Sequence, residues 1–153
     1  MSLVVVAIVA FLMLELGNIF MLYFKKDSTM ANGLGTFKAW EKSKADPAVN
    51  DLVKYLANWV AGTKIFFVSL LTVIVIFGPP ELHQWVLLAM IISIASFYVG
   101  LFPTVRKIDR EDMLTAKGYS KTLAGMITIF IIVFLILFLW PYLLPSIPIP
   151  SFW

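Results

Sequence analysis

The chain has 153 residues, of which 61% are hydrophobic and 14% charged, with a mean hydropathy of +0.93 and a formal net charge of +3. Water-soluble domains carry about 45–50% apolar and about 25% charged residues, so this composition excludes an ordinary soluble domain. With no cysteine, eight glycines and eight prolines it also excludes a disulfide scaffold, collagen and a disordered chain.

In chain order, four apolar stretches are long enough to cross a bilayer core, which needs about 20 helical residues. They cover residues 3–24, 57–78, 82–102 and 122–142 and make the expected fold an all-α, four-helix integral membrane bundle in a single domain. The first stretch has no basic residue before it and is followed at once by Lys25-Lys26, the reverse of a signal peptide's charge order, so it reads as a retained helix. All 12 Lys and Arg fall in the segments 25–64 and 106–121, and none lies in the hairpin Pro79-Pro80-Glu81 or after Tyr142. The positive-inside rule places loops 25–56 and 103–121 in the cytoplasm and both termini on the non-cytoplasmic side.

Within the first loop, Ser28 to Gly35 reads as a flexible stretch with a turn at Asn32-Gly33. Asp46-Pro47 is an N-cap followed by proline at the first helical position. Val49, Leu52, Val53, Leu56, Trp59 and Val60 then recur at helical spacing. They predict one helix running unbroken from Pro47 into the second span, its first turns standing in the cytoplasm; an amphipathic segment lying on lipid headgroups is the alternative. In the second loop, mixed charge over residues 109–117 ends at Gly118. From Pro141 onward, prolines 141, 145, 148 and 150 predict that the last helix stops and an extended tail follows.

One acid lies inside a span. Glu15 is ten residues before Lys25, Lys64 ten after Lys54 and Ser96 ten before Arg106, which puts all three about 15 Å inside the basic boundary. Asn18 shares a face with Glu15, and Thr63, Ser93 and Thr128 fall within about two turns of that depth. An acid in a membrane costs about 2.5–3.5 kcal/mol and takes a partner, for which Lys64 is the candidate. The resulting layer of Glu15, Asn18, Lys64, Ser93 and Ser96 reads as an ion or proton path, a polar anchor for a ligand headgroup, or plain interhelical glue. Ala89, Ser93, Ser96 and Gly100 form a small-residue stripe that permits close helix approach. The bulky fourth span predicts a peripheral helix and the third a central one.

Other chemistry finds little support. The single histidine, His83, lies beside Glu81 at the hairpin, where an interfacial side chain is the ordinary reading, and no metal is expected. No hydrolytic triad or phosphate loop can be assembled, so no catalytic residue is assigned. The basic stretches are interrupted by acids, which points away from nucleic acid and toward membrane lipids as partners.

One segment carries a resemblance. Asp46-Pro47-Ala48-Val49, then Lys54 and Asn58, followed by a Gly78-Pro79 hairpin, Phe97-Tyr98-Val99-Gly100 and Gly118-Tyr119, is similar to the membrane-associated proteins in eicosanoid and glutathione metabolism (MAPEG). The resemblance implies a homotrimer that binds a lipophilic small molecule between subunits. It also implies a glutathione site in which Lys54 takes the role of an arginine on a glutathione carboxylate and Asn58 hydrogen-bonds the same ligand. The chain departs from the family where Ala61 stands for its glutamate, where Lys replaces Arg, and where Ile94 and Ser96 offer no arginine. Arg106 and Arg110 are the remaining candidates for a thiolate-stabilising cation. These departures imply glutathione-dependent activity that is weakened or absent. Beside the MAPEG-like reading stand a small channel or transporter built on Glu15, Asn18 and Lys64, and an accessory subunit docking a partner through residues 47–58.

Overall fold

A computed structural model describes residues 2–143, in which the regular structure is helical, with no strand among those residues. Its helices are α1 (Leu3–Phe24), α2 (Lys38–Ser43), α3 (Pro47–Phe77), α4 (Pro80–Gly100), α5 (Phe102–Arg110) and α6 (Tyr119–Leu143). Four of them, α1, α3, α4 and α6, are long and apolar enough to cross a membrane. The Asp46 carboxylate accepts the Ala48 and Val49 amides at 3.0 and 3.3 Å and Pro47 takes the first helical position, so α3 starts where its capping sequence places it and runs 31 residues without a break. Helix α4 stops at Gly100 and α5 begins at Phe102 because Pro103 has no amide to continue the ladder onto Val99.

Helices α1 and α3 pack antiparallel along one seam. Leu22 sits on Ala57 and Ala61, seven residues along each helix Glu15 meets Lys64, and seven further Ile8 and Leu71 enter the main core. The step of seven is the spacing of left-handed helix packing, and the two alanines let the backbones approach closely. Phe11 ties this pair to the rest: its ring meets Phe67, Phe130 and Phe134 edge-on at 6.5, 5.4 and 5.9 Å. Over its apolar window α1 is 28% buried and α6 11%, so α6 is peripheral as expected, but the most enclosed helix is α1 rather than α4. The stripe of Ala89, Ser93, Ser96 and Gly100 is exposed.

Helix α6 does not stop before its proline. Pro141 lies inside it, and the carbonyl of Leu137 loses the amide that would bond it. Gln84 on α4 fills that gap, its side-chain amide donating to the carbonyls of Leu137 at 2.9 Å and Phe138 at 2.7 Å. The helix continues because a neighbour satisfies what proline leaves open. At the other end of the same pair, the Tyr98 hydroxyl donates to the Ala124 carbonyl at 2.8 Å. His83, in the first turn of α4, is buried, and its Nε2 donates to the Ile74 carbonyl at 3.0 Å, stapling the α3–α4 hairpin. The tail expected to be extended, residues 144–153, lies outside the described residues.

The two loops between spans form a joint cap at the basic end. The Lys38 amide donates to Met113 and the Thr115 amide to Thr36, each at 3.0 Å, which pairs Phe37 with Leu114. Residues 28–35, expected to be flexible, form a tight turn: a Cβ at Gly35 would lie 2.1 Å from the Asp27 carbonyl oxygen, so only glycine fits. Trp40 is buried in the cap and its indole donates to Asp27 at 2.7 Å, while Lys44 reaches the same carboxylate at 2.7 Å. Asp109 at the end of α5 accepts the amides of Gly118 and Ser120 and the Ser120 hydroxyl, capping α6 from outside its own chain direction. That hydroxyl bond, followed by the two amide bonds, holds the Asp109 carboxyl below its ordinary pKa.

The proline account makes a definite prediction. Replacing Gln84 by Leu leaves a carbonyl unpaired in apolar surroundings and lowers stability by about 1–3 kcal/mol. In a Pro141→Ala background, which restores the missing amide, the same replacement costs far less. Equilibrium unfolding of the four proteins in lipid-detergent micelles measures the coupling; equal costs in both backgrounds would contradict it.

Candidate functional site

The site grows from the one place where the α1–α3 seam carries charge. Each residue of the pair occupies a position that an apolar side chain fills one heptad away in either direction, so both are held by the packing on either side of them. Lys64 Nζ donates to Glu15 Oε2 in direct contact. Their side chains are 25% and 13% exposed, so the pair is largely shielded yet reachable. Glu15 Oε1 and the remaining ammonium protons have no protein partner among the described residues, and both remain open to a ligand.

An open cleft of ≈ 550 Å³ reaches this pair. Its walls are apolar, with Phe11, Phe67, Phe97 and Ile94 on it, and its polar groups are Glu15, Lys64, Thr63, Ser93 and Ser96. Four of the five residues of the expected polar layer therefore meet in one cavity. The volume falls in the range of small-molecule sites, and an apolar wall with a few converging polar groups is their usual makeup. The hydroxyls of Thr63 and Ser96 donate to Trp59 and Ser93 carbonyls of their own helices, at 3.0 and 2.6 Å, and keep their acceptor capacity. The small residues of the exposed stripe acquire a role here, since Ser93, Ser96 and Gly100 form one wall, and a Cβ on Gly100 would meet nothing within 4 Å.

The other candidates lie elsewhere. Asn18 is half-buried but does not line the cleft, and makes no side-chain hydrogen bond among the described residues. Thr128 joins Tyr98 at 2.5 Å and leaves the layer. Lys54 and Asn58 are both exposed on α3, toward its basic end, where Lys54 pairs with Asp51 at 3.2 Å. Ala61 is 0% exposed against Leu22, so an acid at that position would face α1 and not a ligand. Arg106 and Arg110 belong to α5, in a separate cavity at the basic end. Among the described residues no group of three or more His, Cys, Asp or Glu converges to hold a metal ion.

Sequence reasoning found the polar half of the cleft and missed the aromatic half. Phe11 is one turn before Glu15 and Phe67 three residues after Lys64, so the helical spacing that nominated the pair also points to these rings. Compared with protein-family models, with curated proteins and with solved structures, the chain matches none.

Removing one charge strands the other in apolar surroundings. Lys64→Met is expected to destabilise the protein by about 3 kcal/mol, whereas Glu15→Leu with Lys64→Met recovers most of that loss. Thermal unfolding of both variants checks this; a double variant no more stable than the single one would contradict the pairing.

Proposed function

We propose that this chain is an integral, multi-pass membrane protein that binds a lipophilic small molecule with a polar head in the cleft around Glu15 and Lys64. The observation that carries the reading is the meeting of both charged residues with Ser93, Ser96 and three phenylalanines in one open cavity at mid-helix depth. An apolar tail has rings to lie against, and a polar head finds an ammonium, a carboxylate oxygen and hydroxyls. The clustering of cations at one end of the bundle supports cytoplasmic loops, non-cytoplasmic termini and a projecting start of α3.

The proposal keeps the MAPEG-like oligomer, a homotrimer with the ligand near a subunit boundary. The exposed stripe that walls the cleft supports it, because small residues let a neighbouring helix approach. Glutathione-dependent activity is weakened or lost in this reading, so no enzyme activity is assigned. Its support is the burial of Ala61 and the engagement of Lys54 by Asp51. An ion or proton path would use the same pair, but Asn18 lies off the cleft, which favours the ligand reading.

A fatty alcohol carrying a photoreactive diazirine tests the proposal in proteoliposomes. Labelling should map to the cleft segments of α3 and α4, and Gly100→Leu, which fills the wall where a side chain has room, should reduce it about tenfold, equivalent to about 1.4 kcal/mol. Labelling spread evenly over all lipid-facing helices, or unaffected by Gly100→Leu, would overturn it.

A further inference from the structure

A second cavity, of ≈ 720 Å³, lies at the basic end between α5 and the start of α6. Four cations line it: Arg106, Arg110, Lys117 and Lys121. Both arginines also line the adjoining hollow with Lys107. Two carboxylates share the cavity, and both are engaged. Asp109 accepts three hydrogen bonds from Gly118 and Ser120, and Asp112 is paired with Lys38 at 3.0 Å. None of the four cations forms an ion pair among the described residues, although Lys38, Lys44, Lys54, Lys64 and Lys107 all do.

Four like charges held around one concavity repel one another, and the two acids, Asp109 near Lys121 and Asp112 near Lys117, offset only part of that repulsion, which an anion would relieve. Two guanidinium groups one helical turn apart match the oxygens of a phosphate, which they grip with paired N–H donors as a lysine cannot. Setting the two carboxylates against the four cations leaves an excess of two positive charges, and of three when Lys38 on Asp112 is counted, enough to complement a phosphate group with two negative charges. The cavity begins at Phe102, next in the chain to Leu101, which lines the apolar cleft. It therefore sits at the boundary between the apolar spans and the basic end, the level at which a phospholipid carries its headgroup.

We propose that Arg106, Arg110, Lys117 and Lys121 form a binding site for a doubly charged phosphate group. The group belongs to a phospholipid headgroup or to a free phosphate, and the site acts independently of the apolar cleft.

The full chain is reconstituted in phosphatidylcholine nanodiscs, and its thermal midpoint is followed with added inorganic phosphate in one arm and with phosphatidic acid in the bilayer in the other. Binding to the folded state raises the midpoint. A rise in either arm that is lost in Arg106→Gln/Arg110→Gln supports the site, and the arm that responds identifies the source. Because these residues make no ion pair, the variant should fold; Lys117→Gln/Lys121→Gln, which should lower the apparent affinity at least about tenfold, provides a second route to the same reading. Lys25→Gln/Lys42→Gln removes equal charge from exposed positions outside the cavity and should retain the rise. No rise in either arm, or an equal loss in the Lys25/Lys42 control, would overturn the proposal.

Discussion

An ion pair in the seam between the first two long helices is the constraint around which the bundle is arranged. A charge in an apolar span costs several kcal/mol unless an opposite charge meets it, and Glu15 and Lys64 meet only when α1 and α3 lie antiparallel in a single register. Sliding either helix by one turn would bury both charges against hydrocarbon. Apolar packing alone would tolerate that slide, because leucines and valines are nearly interchangeable along a seam. The pair thus fixes register, while Leu22 on Ala57 and Ala61 at one end and Ile8, Phe11, Val68 and Leu71 in the main core supply apolar packing. The same polar pair lines the cleft, so what fixes the register also gives the cavity its character.

The second pair of long helices follows the same logic with neutral groups. Gln84 reaches the carbonyls opened by Pro141, and Tyr98 reaches Ala124 at the opposite end of the α4–α6 contact. Gln84 satisfies backbone that Pro141 leaves open, whereas Tyr98 adds a bond to a carbonyl inside the helix that also accepts the Thr128 hydroxyl, and both tie α4 to α6. At the basic end the loops do comparable work. Trp40, Asp27 and Lys44 close one cap, and Asp109 anchors the start of α6, so the cations of α5 and α6 are held on a defined surface instead of on loose loops.

Much of this architecture was legible in the sequence, and the exceptions have physical causes. Helix lengths, the Asp46-Pro47 start of α3 and the Glu15–Lys64 partnership all follow from local patterns: run length, capping chemistry and equal depth from the basic boundary. The fourth apolar stretch already ran one residue past Pro141, but what keeps α6 helical there was not legible, because it depends on Gln84, a residue more than fifty positions away. The loop cap was hidden for the same reason, since Phe37 and Leu114 pair across two spans. Depth counting gathered Glu15, Lys64, Ser93 and Ser96 but also admitted Asn18 and Thr128, which share the level and not the direction. Depth is a one-dimensional quantity, and a cleft is selected by rotation about each helix as well.

Register and cleft both rest on the direct contact of the Glu15 and Lys64 side chains between α1 and α3. Solid-state NMR of the protein in lipid, with 15N at Lys64 Nζ and 13C at the Glu15 carboxyl carbon, measures their dipolar coupling. The account predicts a coupling of contact strength, with the ammonium and carboxylate within the 4 Å reach of an ion pair. A coupling too weak to detect would mean that the side chains turn to different environments, and the register, the cleft and the proposed ligand site would all lose their foundation.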